Sequence, residues 1–287
     1  MEFRNYNHNY YDSLCEFLIE LNIDNNSHIN WNWARLEWII GHPECDKANL
    51  GKIGLWFDKD KIVGAAIYDM YYGEAFCACL DDYFKIYPEI VDYAYKELKD
   101  NSGLGIAICD DNYNEISIIK QKGFMKSSQE ETILCFDLNK DLDVCLPNDV
   151  RFVDVDFDSD IDKIQWLFWQ GFDHGTNKDE FLSRDKEKIE KRKHFNPYLS
   201  ICVANSDGEF ISYCSLWYNE NTDYAYLEPV CTIPSFRNRG IAKASIYEGM
   251  KRAKKLGAKT VYVISDMDFY KKLGFVKRHH YSFYWKK

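Results

Sequence analysis

The segment Tyr226-Leu227-Glu228-Pro229-Val230-Cys231-Thr232-Ile233-Pro234-Ser235-Phe236-Arg237-Asn238-Arg239-Gly240-Ile241-Ala242-Lys243-Ala244 reads as a strand, a basic loop and the start of a helix. Beyond Gly240 the residues Ile241, Ala244, Tyr247, Met250 and Ala253 recur at three-residue spacing, with Lys251, Arg252, Lys254 and Lys255 largely toward solvent. The first backbone N–H groups of such a helix have no partner within it and point back at the loop. Gly240 lets the backbone approach a ligand closely, and the two flanking guanidiniums of Arg237 and Arg239 suit a pyrophosphate. The loop is not a Walker A motif, because no Gly-Lys-Ser/Thr triplet exists. It is not a dinucleotide fingerprint either, because Gly240 supplies only one of the needed glycines.

The elements that must position this loop follow from periodicity. In the first half, Leu14, Phe17, Leu18 and Leu21 have helical spacing, as does the Trp31 to Ile40 segment. Ile53–Phe57 and Ile62–Ile67 form a hairpin across Asp58-Lys59-Asp60-Lys61. Pro88 opens a helix running through Leu98, Gly105–Ile108 is a short strand, and a polar helix ends at Gly123-Phe124 before the strand Thr132–Phe136. The second half repeats this plan. A helix from Ile161 to Phe172 and a charged run from Lys178 to Lys193 lead to a hairpin, Ser200–Ala204 with Phe210–Trp217. Then come the strand Ala225–Thr232, the helix to Leu256, the strand Thr260–Ile264, a short helix Phe269–Leu273 and a closing strand His280–Trp285. Gly123-Phe124 and Gly274-Phe275 lie 151 residues apart, and the hairpin turns at Asp58 and Asn205 lie 147 apart. Two copies of one α/β unit are expected, joined near Lys140 to Asp149 around Pro147.

Composition bounds the function. The chain has 287 residues, is 46% hydrophobic and carries a formal charge of −10, which suits two folded domains and argues against wrapping a nucleic-acid backbone. Through Asn148 there are 13 Lys+Arg against 26 Asp+Glu, and beyond it 23 against 20, so the second half is the one suited to a small anion. The ten cysteines form neither a disulfide framework nor a zinc set; Cys77 and Cys79 are read as buried thiols. No metal is expected. The start, MEFRNYNHNYYDSLCEF, lacks a basic region followed by an apolar signal segment, and no run approaches 18 apolar residues, so a soluble cytoplasmic protein without a membrane partner is expected.

Arg237-x-x-Gly240-x-Ala242, preceded by a Val-x-Thr strand and Pro234, resembles the acetyl-CoA signature of the GCN5-related N-acetyltransferases (GNAT). Phe269-Tyr270-Lys271-Lys272-Leu273-Gly274-Phe275 matches that family's other hallmark, in the expected order and 33 residues on from Arg237 to Tyr270. The resemblance covers Val150 to Lys287 and extends to the first half as a degenerate copy. It implies an α/β fold of two tandem GNAT-like units, each a mixed, largely antiparallel central sheet flanked by helices. Residues 1–140 would be a scaffold and acceptor-pocket wall, and 150–287 the acetyl-CoA-binding domain. The first half departs from the family: Ile119 stands where Tyr270 stands relative to the Gly-Phe pair, and no Arg-x-x-Gly-x-Ala occurs. The second half lacks the Asn usual before the tyrosine.

By this resemblance the cofactor pyrophosphate sits on the backbone N–H groups from Asn238 through Arg239, Gly240, Ile241 and Ala242 to Lys243, with Arg237 and Arg239 adding charge. The pantetheine arm pairs with the backbone of Val230, Cys231 and Thr232, whose N–H groups also polarise the thioester carbonyl. Tyr270 is the general acid for the departing thiolate, since a phenol keeps its proton at neutral pH. Glu228, two residues before Val230 and so expected on its face, is the general base; binding the acceptor's positive charge and a structural role stay open for it. His174 is a second polar residue for the acceptor pocket or a surface loop histidine, and the Cys231 side chain is assigned to the core. The activity implied is transfer of an acetyl group from acetyl-CoA to a small cationic amine or a peptide amino group by direct attack. A non-catalytic acyl-CoA sensor is the alternative.

Overall fold

The computed structural model describes residues 1–23, 26–42, 45–183 and 193–287. The first half runs β1 (Glu2–Asn5), α1 (Tyr11–Glu20), α2 (Trp33–Gly41), β2 (Gly54–Asp58), β3 (Lys61–Asp69), β4 (Tyr71–Cys79), α3 (Tyr87–Glu97), β5 (Leu104–Cys109), α4 (Tyr113–Gln121) and β6 (Met125–Asp137). The second runs β7 (Val150–Val153), α5 (Ile161–Gly171), α6 (Lys178–Ser183), β8 (Ser200–Asn205), β9 (Phe210–Tyr218), β10 (Tyr224–Thr232), α7 (Ile241–Leu256), β11 (Thr260–Ile264), α8 (Asp268–Lys272) and β12 (Val276–Lys286). Strand and helix follow one another in the same order in both halves, as the sequence offsets require. The twelve strands are mixed and largely antiparallel and are flanked by helices. Of the charged run expected from Lys178 to Lys193, α6 is helical and residues 184–192 lie outside the described residues.

Two compact units are formed, and neither is one continuous stretch. The first comprises Met1–Leu134, Ile264–Tyr270 and Val276–Lys287, the second Cys135–Val263 and Lys271–Phe275. In the first unit the strand order is β1-β2-β3-β4-β5-β12-β6. The closing strand β12 pairs antiparallel with β5, from Tyr281↔Cys109 to Lys286↔Leu104. Sequence order alone puts those residues in the 150–287 domain; their backbone partners lie in the first unit. Asn32 starts α2 by accepting from the Ala34 and Arg35 N–H groups at 3.0 Å, and Pro88 sits in the first turn of α3, where its missing N–H costs no bond. Leu14, Phe17, Leu18, Trp33, Phe76 and Tyr87 are all at most 2% exposed and form this unit's core. Cys77 and Cys79 are buried there too.

The second unit orders its strands β11-β10-β9-β8-β7. The β8–β9 hairpin turns where the Asn205 side chain accepts from the Asp207 and Glu209 N–H groups and Gly208 takes φ +81°. Its core gathers Leu167 of α5, Val203 of β8, Ile211 and Tyr213 of β9, Cys231 of β10 and Ile241 of α7. α7 ends on Gly257 at φ +118°, whose N–H closes onto the Ala253 and Lys254 carbonyls. Among the described residues no helix is long and apolar enough to cross a membrane.

Candidate functional site

β10 is bound unequally on its two sides. Its parallel pairing with β11 covers Tyr224↔Thr260 to Tyr226↔Tyr262, while its antiparallel pairing with β9 continues to Thr232↔Ser212. The backbone from Leu227 to Thr232 thus diverges from β11. The Ile233 N–H donates to the Ile211 carbonyl at 3.0 Å, which fixes the phase: by alternation the N–H groups of Val230 and Thr232 point away from β9, toward the edge where β11 has parted. A bulge between Leu227 and Val230 holds Glu228 and Pro229, joined by a cis peptide. It breaks the strict alternation from which the sequence puts Glu228 on the face of Val230. The half-buried Glu228 accepts from Tyr226 Oη at 3.3 Å, and its carbonyl accepts from Trp217 Nε1 at 2.8 Å.

The loop after β10 delivers the chain to the N-terminus of α7. Asn238 at φ +60° and Gly240 at φ +78° make the reversal, and no side chain caps the helix. A Cβ placed on Gly240 would meet nothing within 4 Å, so the space beside Gly240 at the start of α7 is open. Helix N–H groups facing open space beyond a left-handed turn make an anion cradle.

Both arginines of the signature are engaged within the protein. Arg237 donates from Nε to the Thr232 carbonyl at 2.9 Å and from Nη2 to the Gly171 carbonyl at 2.8 Å, and it pairs with Asp173 at 3.0 Å. Arg239 Nη2 reaches both carboxylate oxygens of Asp149, at 2.6 and 2.7 Å, and its guanidinium lies 5.1 Å from the Phe236 ring centroid. The pair holds the Asp149 carboxyl below its ordinary range. Arg237 therefore ties the loop to β10 and to the end of α5, a bracing role that residue type alone does not reveal. Lys243 is exposed, its ammonium 5.2 Å from the Tyr247 ring centroid. Cys231 is 4% exposed, and burial pushes its thiol up to about 12, as befits a core side chain. His174 is exposed and stacks on Trp169 at 4.9 Å.

Tyr270 is half-buried on α8 beside Phe269, with ring centroids 5.0 Å apart. It closes the segment counted with the first unit, and Lys271 opens the one counted with the second. Three residues on, the Leu273 carbonyl accepts from Tyr247 Oη of α7 at 2.9 Å. Gly274 takes φ +94°, and Phe275 packs on Phe136 at 5.4 Å. The Leu-Gly-Phe hallmark is thus a docking point on α7.

The corresponding place in the first unit looks alike in backbone and differs in chemistry. The parallel β4–β5 pairing covers Glu74↔Gly105 and Ala75↔Ile106, while the β3–β4 pairing runs on to Gly64↔Cys79. There the His28 and Trp31 rings lie on Phe76 of β4, at 6.0 and 5.2 Å. The turn that leads to α3 is a 3-10 helix whose first turn carries Asp81 and Asp82, charges that repel an anion. Sequence reasoning also missed a cluster in this unit, Cys109, Asp111 and His279, because 170 residues separate its two strands.

Among known proteins, residues 160–275 match the acetyltransferase (GNAT) family. No curated protein matches the chain. Its structure is similar to a GCN5-related N-acetyltransferase from Sphaerobacter thermophilus, with TM-score 0.62 and 12% identity over 99% of this chain and 95% of that one. It is similar also to a tandem GNAT protein from the clavulanic acid biosynthesis pathway, with TM-score 0.58 and 12% identity over 99% and 97%. An acetyltransferase of the GNAT family from Colwellia psychrerythraea gives TM-score 0.56 and 12% identity over 100% of both chains. At such identity these structures speak for the fold alone, whereas the family match speaks for the second half of the sequence.

Proposed function

We propose that the protein transfers an acetyl group from acetyl-CoA to an amine of a small molecule or peptide, by direct attack in a ternary complex. The observation that carries this reading is the free edge of β10 beyond Tyr226 running into the uncapped N-terminus of α7. Backbone N–H groups from Asn238 to Lys243 hold the pyrophosphate, and Arg237 and Arg239 keep that loop in shape through Thr232, Gly171 and Asp149. The Val230 and Thr232 N–H groups, aimed at the open edge, pair with the pantetheine arm and polarise the thioester carbonyl. Because these donors are fixed by the β9 pairing, they need no reorganisation as charge develops on the oxygen.

An acceptor ammonium must lose a proton before its nitrogen attacks. Glu228, held at the bulge, takes that proton directly or through a water, and Tyr270 gives one to the departing thiolate. The overall charge of −10 draws a cationic amine toward the protein. The first unit holds no cofactor, a reading supported by Asp81 and Asp82, which open the turn after β4 where the second unit has Pro234 and Ser235. An amine panel assayed for acetyl-CoA consumption tests this. Tyr270→Phe should lower kcat about 10²–10⁴-fold with the cofactor affinity retained. Tight acetyl-CoA binding with no turnover on any amine, unchanged by Tyr270→Phe, would convert the reading to a sensor module.

A further inference from the structure

We propose that Cys109, Asp111 and His279 form a zinc-binding site in the first unit that clips the closing strand β12 to β5. The backbone builds it. The β5–β12 register pairs Cys109 with Tyr281, and beyond the end of β5 the Asp110 N–H still donates to the His280 carbonyl at 2.9 Å. There the chain turns through Asp110 and Asp111, the turn closing where the Asn112 N–H donates to the Cys109 carbonyl at 2.9 Å. The turn carries Asp111 back toward Cys109, and His279 lies two residues from Cys109's partner Tyr281 on β12, so thiol, carboxylate and imidazole converge. One donor atom from each lies within 4.8 Å of the others.

The distances fit the ion. Cys109 Sγ and His279 Nδ1 are 3.7 Å apart. Tetrahedral zinc with Zn–S of about 2.3 Å and Zn–N of about 2.0–2.1 Å sets its sulfur and nitrogen about 3.6 Å apart. Asp111 is exposed and free to swing its carboxylate the remaining distance. The donor set is a thiolate, an imidazole and a single carboxylate. Zinc accepts that mixture, while calcium and magnesium require mostly oxygen. Three protein ligands leave a fourth position for water. As the S–Zn bond forms, the Cys109 proton leaves to solvent. Asp110, His280 and Ser282 alternate with the ligands and bond one another: Asp110 accepts from Ser282 Oγ at 2.6 Å and contacts His280 Nδ1 at 2.7 Å. They hold the two strand ends in register from the side opposite the metal.

The test uses the full chain stripped of metal and titrated with Co²⁺, whose thiolate charge-transfer band in the near ultraviolet and visible d–d bands report tetrahedral coordination. The bands should saturate at one equivalent, vanish on adding one equivalent of Zn²⁺, and persist in Cys145→Ser, which removes the exposed cysteine. Cys109→Ser should abolish the charge-transfer band. Asp111→Asn, at an exposed position that leaves folding intact, should weaken Co²⁺ binding by about tenfold or more, since even an outer partner of a metal ligand is worth about 10–100-fold. Zn²⁺ should raise the Tm of the parent chain more than that of Asp111→Asn. Absence of a saturating band in the parent chain would overturn the site. So would a band kept in both Cys109→Ser and Asp111→Asn, or one lost with Cys145→Ser.

Discussion

Replacing Gly240 tests whether the loop before α7 is a cradle or only a turn. Gly240 adopts φ +78°, ψ 0°, and an added Cβ would meet nothing within 4 Å. Gly240→Ala therefore costs no steric overlap, and its penalty is the left-handed backbone alone, about 1–2 kcal/mol. For a domain of this size that lowers Tm by about 2–4 °C per kcal/mol. Asparagine tolerates the left-handed region, so Gly240→Asn should retain most of the stability while still placing a side chain in the open space. Acetyl-CoA affinity should respond differently. If the pyrophosphate lies on the N–H groups after Gly240, both side chains intrude on it, and each should weaken binding tenfold or more, about 1.4 kcal/mol or above. Scanning calorimetry gives the first quantity and isothermal titration the second. Should both variants bind acetyl-CoA within twofold of the parent chain, the reasoning fails, because the space over Gly240 would then not be where the anion sits.

Gly171→Ala would bring a Cβ to 2.8 Å from Cys231 Cβ and 2.9 Å from its Sγ, at the residue whose carbonyl Arg237 holds. Overpacking of about 1–3 kcal/mol is expected, seen as a lower Tm together with weaker acetyl-CoA binding. In native alkylation Cys145, exposed, should react fast, and Cys231, buried with its thiol near 12, only on unfolding. Mass spectrometry of the labelled peptides would read this, and fast labelling of Cys231 would contradict its place in the core. Because Arg239 lowers the Asp149 carboxyl below its ordinary range, the pair's stability is present in full above that range and is lost as pH falls through the lowered value. The Tm difference between the parent chain and Asp149→Asn should thus be level from pH 9 to about 5 and close in strong acid. A difference that closed near neutral pH would contradict the pairing.

Most elements could be read from apolar spacing because each buries one face. Leu14, Phe17 and Leu18 mark α1, and Ile241, Ala244, Tyr247, Met250 and Ala253 mark α7 in the same way. Two strand segments that escaped notice lack that face, whereas β4, equally unread, is buried without alternation from Ala75 to Cys79. β1 is a four-residue strand with no buried residue, and the start of β6, from Met125 to Glu130, is almost wholly exposed, so only Thr132–Phe136 gave a signal. The pairing of β12 with β5 was illegible for another reason: local pattern says that a segment is a strand, and only tertiary structure says which edge it joins. The site shows the same division. Gly240, the helix behind it and the strand before it are local features and were readable. The acceptors of Arg237 are the backbone carbonyls of Thr232 and Gly171, and Arg239 binds Asp149, 90 residues earlier, so sequence assigned both guanidiniums to the ligand. Glu228 was placed by strand alternation, which the bulge at Leu227/Val230 interrupts.

Isothermal titration of the full chain with acetyl-CoA is the most direct test. Saturation at one site per chain is expected, since among the described residues only the second unit joins an open strand edge to an uncapped, glycine-turned helix N-terminus. Two equivalent sites would contradict a silent first unit, and no heat at millimolar acetyl-CoA would contradict the acyl-CoA reading itself.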